Sequence, residues 1–472
     1  MRPRRVGLAA AALALGGCTM IPKYDRPAMP VPPSWAQPVA LPDAAPGGAT
    51  AATRWQEFFT DRRLVGVIEL ALANNRDLRI ATLNVERTQA LYRIQRSFLY
   101  PTVGVLASVE RTRTPEGSSF NGQATTTAQY SVDLGFTGWE LDFFGRLRSL
   151  KASALQQYLA SGEARRAAQV SLVASVASAW LALAADSEGQ TLAQATLDAQ
   201  QAVFGLLQRS RDAGIASELD VRQAQTQVET ARVALAALKG QIAADRDGLD
   251  VLAGTPVPPD LLPPALSTVQ ETRPLSPGLP SEVLLTRPDI LAAEHRLLSA
   301  NADIGAARAA FFPRISLTAA LGTMSGELGI LGGKASALFG SGTGTWTLAP
   351  QIAAPIWTGG YNRANLQATR VERQIAVATY EKAIQQAFAE VSDGLALRGT
   401  LLEQRQAQEA LVTALDETYR LSQARYKAGI DSYLAVLVAQ RALFAGQLSL
   451  IGVRLSEQVN LVTLYKVLGG GA

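Results

Sequence analysis

Four stretches of this chain alternate apolar and polar residues, and the long segments between them do not. From Ala124 to Thr137, one face carries Ala124, Thr126, Ala128, Tyr130, Val132, Leu134 and Phe136. Val103, Val105, Ala107 and Val109 alternate with Thr102, Gly104, Leu106 and Ser108. Ile315, Leu317, Ala319 and Leu321 alternate with Ser316, Thr318, Ala320 and Gly322. From Gly344 to Ile356, the face of Trp346, Leu348, Ile352 and Ile356 opposes mostly polar or small residues. A period of two predicts strands with one apolar and one polar side. Segments of about ten residues divided this way are the signature of membrane-barrel strands. A half-exposed sheet in a soluble domain is the other reading of the alternation. Four strands are too few to close a barrel, which needs about eight, and open edges cannot sit in lipid. A transmembrane reading therefore requires chains to share one barrel. Three chains would supply about twelve strands.

The intervening segments show helical spacing. Between Gly145 and Arg211 there is no proline, and Val170, Val173, Ala177, Trp180 and Ala184 follow 3-4 spacing. A helix over this stretch would be on the order of 100 Å long. It has no globular core to lie on, so its alanine-rich seam must pack against neighbouring helices, coiled-coil fashion. No run of about 20 apolar residues follows the N-terminal segment, so no membrane-spanning helix is predicted.

A short segment occurs twice. Ala213 to Gln225 reads AGIASELDVRQAQ and Ala428 to Gln440 reads AGIDSYLAVLVAQ, in register at an offset of 215 residues. Gly214 and Gly429 each follow a long helical segment, as a residue able to adopt positive φ should. Ser217 and Ser432 stand where an N-cap of the next helix is needed. Each copy therefore predicts the tight tip of a helical hairpin. Arg76-Asp77-Leu78 leading to Phe98-Leu99-Tyr100-Pro101 matches Pro288-Asp289-Ile290 leading to Phe311-Phe312-Pro313. Gly145 to Arg148 corresponds to Gly360 to Arg363, and Gly254 to Gly469. The chain thus divides into a first repeat (61–254), a proline-rich connector (255–280) and a second repeat (281–472), each reading helix, two strands and a long helical hairpin.

Residues 1–17 have the form of a secretory signal, with a basic start and an apolar core from Val6 to Leu15 too short to span a bilayer. It ends Leu15-Gly16-Gly17-Cys18, which resembles a bacterial lipobox and predicts a lipid on the sulfur of Cys18. Buried acyl methylenes contribute about 0.8 kcal/mol each to anchoring. Residues 18–60 then read as a lipidated, extended and poorly structured strap. The net charge is +4, with Arg2, Arg4 and Arg5 inside the signal. The remainder is near neutral, which gives no support for a nucleic-acid partner. A single Cys and a single His remove disulfides, Cys/His metal sites and His-dependent triads. Gly333-Lys334-Ala335 lacks the Ser/Thr of a P-loop, and Gly340 to Gly344 is out of pattern for a nucleophile turn. His295 reads as a packed or solvated helix residue, and Asp245 and Asp247 as a solvated helix face. No enzyme and no metal site is predicted.

Cys18 to Trp35, LANNRDLR from Leu72, RPDI from Arg287, NADIGAARAAFFPRISL from Asn301 and YKVLGGG from Tyr465 together resemble the TolC-like outer-membrane efflux lipoproteins of Gram-negative bacteria. The similarity is nearest to the NodT-type branch that serves resistance-nodulation-division pumps. It implies an α+β membrane protein. Long helices would form a periplasmic α-barrel, and four strands per chain would join a trimeric twelve-stranded transmembrane β-barrel. It also implies a homotrimer in the outer membrane, in contact with its lipid, extending into the periplasm. There the hairpin tips, with Gly214, Ser217, Gly429 and Ser432, would meet a periplasmic adaptor and, behind it, an inner-membrane pump. The duct would conduct drugs or other small molecules passively. A type I protein secretion or metal-ion efflux system is the alternative partner. Position matching carries the family's periplasmic gate onto Asp220 and Tyr426, while Ser217-Glu218-Leu219-Asp220 also fits a capping box; the two readings can coexist. The family's Arg after the second tip and its acidic pore positions fall on Asp431, Ala435 and Val438, so no acidic ring is implied here.

Overall fold

The computed structural model describes residues 19–35, 53–119, 122–270, 281–326 and 335–471. The predicted signal, Cys18, part of the strap and the end of the connector lie outside the described residues. In chain order the elements are α1 (Trp55–Phe58), α2 (Arg62–Asn74), α3 (Arg76–Ser97), β1 (Gly104–Thr114), β2 (Thr125–Leu141), α4 (Arg146–Asp212) and α5 (Glu218–Ala253). They continue with α6 (Pro288–Ala309), β3 (Arg314–Gly326), β4 (Gly344–Ala353), α7 (Tyr361–Lys427) and α8 (Tyr433–Val467). Helices α3 and α6 have 22 residues each, and α4 and α7 have 67 each. The equal lengths place the tips at matching points of the two repeats.

The chain divides into two compact units that cut across the repeats. One comprises Met1–Pro27, Glu86–Ala160 and Glu294–Thr379; the other comprises Ala28–Val85, Ser161–Ala293 and Tyr380–Ala472. Each unit draws on both repeats, because each repeat sends its strand pair to one and its hairpin to the other.

The first unit holds an antiparallel sheet in the order β1-β2-β3-β4. Its register aligns the predicted apolar faces. Val105 sits opposite Leu134, Leu134 opposite Leu321 and Leu321 opposite Trp346, one apolar row across four strands. Between Phe136 and Trp139 the register of β2 shifts. Gly138 takes φ +65° there, and its N–H donates to Thr318 Oγ1 at 3.0 Å. The inserted residue keeps Trp139 opposite Leu317 and Leu141 opposite Ile315, on the apolar side. β2 therefore continues past Thr137, where the simple alternation ends. β4 is shorter than expected: it stops at Ala353, and Ile356, beyond Pro355, lies outside the strand. Pro350, which has no N–H to donate, is tolerated because β4 is an edge strand.

The strap is better held than its composition predicts. Arg26 makes a two-pronged ion pair with the nearly buried carboxylate of Glu294 on α6 (2.8 and 2.5 Å), and Tyr24 Oη donates to the same carboxylate at 3.0 Å. Asn301 donates to the Pro22 carbonyl at 2.9 Å, and Arg308 to the Met20 carbonyl at 3.3 Å. A proline-rich segment cannot build its own ladder, so side chains of α6 satisfy its carbonyls instead. The strap runs antiparallel to α6, and Met20 lies by Arg308, just before β3 begins.

In the second unit the core is conventional. Phe58 stacks on Tyr465 (ring centroids 4.4 Å), with Phe59 edge-on to the same ring. Trp180 is fully buried, its Nε1 donating to the Leu261 carbonyl at 2.9 Å and the Arg63 guanidinium 5.9 Å from its ring centre. Full burial of one such side chain stabilises by about 1.5–3 kcal/mol. Arg287 is buried but has partners on every side: Val467 O (2.7 Å), Asp289 (2.7 Å) and Glu390 (2.9 Å). Two helices, α4 and α8, are long and apolar enough to cross a membrane by length and composition alone. In α4 the reason is core burial: Trp180, Leu181, Leu183 and Ala184 are buried in this unit. Asp245 also departs from expectation. It shares a hydrogen bond with Asp186 on α4, and burial together with this second carboxylate pushes Asp186 up to about 6.

Candidate functional site

Two places carry chemistry the core does not use. The first is the sheet of the first unit. Val105, Leu134, Leu321 and Trp346, the apolar row, are 69, 54, 68 and 76% exposed. Val109, Leu348 and Ile352 on the same face are also exposed. The other face carries Ser108 and Ser131, whose hydroxyls bond at 2.8 Å, together with Asp133, Thr345 and Gln351. β1 and β4 form the edges, with no further strand beside them among the described residues. An apolar surface of this extent is unstable against water, and unpaired edges are unstable in lipid. Joining edge to edge with further copies, apolar side outward, removes both costs.

The second place is the pair of hairpin tips, both in the second unit. At each tip the chain leaves the long helix through a Schellman turn. Ile215 N–H donates to Ser210 O and Gly214 N–H to Arg211 O, both at 2.8 Å; Ile430 donates to Arg425 O at 3.0 Å and Gly429 to Tyr426 O at 2.9 Å. Gly214 and Gly429 adopt φ +75° and +74°, left-handed values that a side chain would strain. Ser217 caps α5. Its hydroxyl accepts from Asp220 N–H (3.1 Å), while the Asp220 carboxylate accepts from Ser217 N–H (3.1 Å) and Ser217 Oγ (2.6 Å), a complete capping box. Ser432 occupies the N-cap of α8 but makes no such side-chain bond.

Asp220 and Tyr426 are not joined. The Asp220 carboxylate is engaged within its own tip, and among the described residues no hydrogen bond links it to Tyr426. Tyr426 packs against the cluster of Leu207, Val221, Ala224, Tyr433, Val436 and Leu437, its ring centre 5.3 Å from that of Tyr433. Burial pushes the Tyr433 hydroxyl above its ordinary pKa. Val438 is exposed and Ala435 half-buried.

Sequence reasoning missed two tip ion pairs. Arg425 grips Asp431 with both prongs (2.5 and 3.1 Å), and this guanidinium holds the Asp431 carboxyl below its usual range. Arg211 bonds Asp212 at 2.6 Å and Glu218 at 3.1 Å, and lowers Glu218 in the same way. The available signal was a basic residue in the last helical turn, where the helix dipole favours it, with an acid six or seven positions on. Ile215, Leu219, Ile430 and Leu434 leave apolar surface exposed at the tips.

A family model described as outer membrane efflux protein matches residues 67–255 and 279–470. The toluene efflux pump outer membrane protein TtgC of Pseudomonas putida is 47% identical over 467 residues, covering 99% of this chain and 95% of that protein. The antibiotic efflux pump outer membrane protein ArpC of Pseudomonas putida gives the same identity and coverage. Among solved structures, the open state of the Neisseria gonorrhoeae MtrE outer membrane channel superposes with a TM-score of 0.85 at 36% identity. That match covers 96% of this chain and 98% of the other.

Proposed function

The chain belongs to the outer membrane efflux protein family, and from that membership we propose that three copies pool their sheets into one twelve-stranded barrel that serves as the exit duct of a tripartite efflux pump. The observation that carries the reading is the four-stranded sheet whose exposed face is apolar, whose other face is polar and whose two edges are open. A closed barrel with the apolar face toward lipid pairs every edge and leaves a polar lumen. The relatives' names cite toluene and antibiotics, which supports small organic cargo over protein or metal-ion cargo. The exposed apolar residues at the tips supply the contact for a periplasmic adaptor, with an inner-membrane pump behind it; the duct itself is passive. A lipid on Cys18 adds a second anchor. The strap supports this, because α6 holds Met20 beside Arg308, at the approach to the sheet.

The gate follows the same logic. The tips close the duct when Asp220 gives up its capping bonds and accepts from the Tyr426 hydroxyl. The test is conductance of the purified protein in a planar bilayer. Discrete channel openings from a detergent-dependent trimer are expected, and a non-conducting monomer in water overturns the duct. Asp220→Ala and Tyr426→Phe should raise closed-state conductance; unchanged closure removes these two residues from the gate. Mass spectrometry of the N-terminal peptide decides the lipid, since an unmodified Cys18 ends that assignment.

A further inference from the structure

The apolar face of the sheet changes character at one end. β1 departs from the α3 side and runs to the β1–β2 turn, so Arg111 and Arg113 lie at the end of the sheet remote from the helices that lead into it. They share the parity of Val105 and Val109, which puts them on the apolar face, opposite Ala128 and Thr126 of β2. Both are exposed. Among the described residues neither guanidinium makes a hydrogen bond or ion pair. The nearest acids do not answer them: Glu110 and Asp133 have the opposite parity, and Glu116 lies beyond the strand.

Their height is informative. On β3, the span from Ile315 to Ser325 covers about 25 Å at roughly 3.3 Å per residue and a 40° tilt, the height of a barrel's apolar band. Ser325 is level with Tyr130, and Tyr130 with Val109. Tyr130 places an aromatic ring at this outer rim, as at a membrane interface. Arg111 and Arg113 follow immediately beyond it, where lipid headgroups begin. Unpaired guanidiniums directly above an apolar wall fit a ligand with phosphates above acyl chains, since guanidinium matches phosphate with two parallel hydrogen bonds.

We propose that Arg111 and Arg113 bind the phosphates of a glycolipid in the outer leaflet, seating it against the Val105–Val109 stretch of β1. The inference rests on the barrel reading. The full-length trimer in detergent is titrated with diphosphoryl lipid A, with the same lipid dephosphorylated, and with inorganic phosphate, and binding is read by native mass spectrometry. The wild type should bind the diphosphoryl form at least roughly tenfold more tightly than the dephosphorylated one, as two cations near a charged headgroup layer imply. Inorganic phosphate should not compete. Arg111→Gln/Arg113→Gln should erase the preference, Arg111→Lys/Arg113→Lys should keep most of it, and both variants should conduct normally. A conducting wild type with no phosphate preference overturns this proposal and leaves the barrel standing, whereas a non-conducting wild type overturns both. Loss of trimers in the Gln variant with no lipid effect in the wild type assigns the arginines to a contact between chains, which also overturns it.

Discussion

At the first tip Arg211 reaches across the turn to Glu218 at 3.1 Å; at the second, the equivalent positions hold Tyr426 and Tyr433, with ring centres 5.3 Å apart. The backbones around them coincide, with the same Schellman bonds and the same positive φ at the glycine. The polar fittings do not. Ser217 closes a capping box with Asp220, whereas Ser432 caps nothing and Ala435 stands where Asp220 would. Further along, the acid pair Asp186 and Asp245 corresponds to the buried Leu401 and Asn460. A duplicated chain thus keeps the turn, which only backbone conformation can satisfy, and exchanges one kind of side-chain bridge for another. The second tip keeps an ion pair of its own, Arg425 with Asp431, so the contrast lies at these equivalent positions: the first hairpin is bridged there by charge and hydrogen bonds, the second by aromatic burial. The two should fail under different insults.

The largest difference is expected from truncating the bridging side chains. Tyr433→Ala removes a buried ring and should cost the second hairpin about 3 kcal/mol or more, read as faster amide exchange across its tip. Glu218→Ala, its equivalent, should leave exchange at the first tip almost unchanged at moderate salt, because that carboxylate is exposed. Equal effects would dissolve the contrast. Gly214→Ala and Gly429→Ala sharpen it from the other direction. Both force a side chain into left-handed backbone, and each should cost about 1–2 kcal/mol, similar at the two tips because the backbone is what they share.

Smaller effects separate the caps. Ser217→Ala should destabilise the start of α5 by about 1 kcal/mol, while Ser432→Ala should be close to neutral, both measured by exchange of the first-turn amides. The acid pair adds a pH signature to the first hairpin alone. Asp186 is raised to about 6, so the folded chain holds that proton more tightly than the unfolded one. Its contribution is complete below the ordinary carboxylate range and is lost as pH rises through about 6. Asp186→Asn should flatten the stability profile between about pH 4 and 6, read by thermal melting, with no counterpart at Leu401. The smallest effect is at Arg425. Asp431 is lowered by that guanidinium, so the pair is intact above the ordinary carboxylate range and is lost only as pH falls through the lowered value. Arg425→Gln should abolish that acid-side change in exchange at the second tip and do little at neutral pH.

Most of the architecture was legible because it rests on period and on turn chemistry. Alternation named the four strands and the residues that share each face, and the two glycines after long helical runs named the tips. The bulge at Gly138 was hidden because one inserted residue looks like the end of a pattern rather than its continuation. The grip of α6 on the strap was hidden because Glu294 and Arg26 are far apart in sequence and each looks like an ordinary surface charge. The site was legible by position only. Asp220 was named twice over, as cap and as gate, and only coordinates show its carboxylate spent on Ser217. The tip ion pairs at Arg211 and Arg425 went unseen because a turn's geometry decides whether an acid six or seven residues on falls within reach.

The sequence by itself determined that the strands are unfinished and the helices too long to stand alone, since period, length and edge count are properties of the chain. Tertiary structure decided the register that lines up Val105, Leu134, Leu321 and Trp346, the division into units that ignores the repeat, and the partner each charged group takes. Those depend on distances between residues far apart in the chain, which no local pattern encodes.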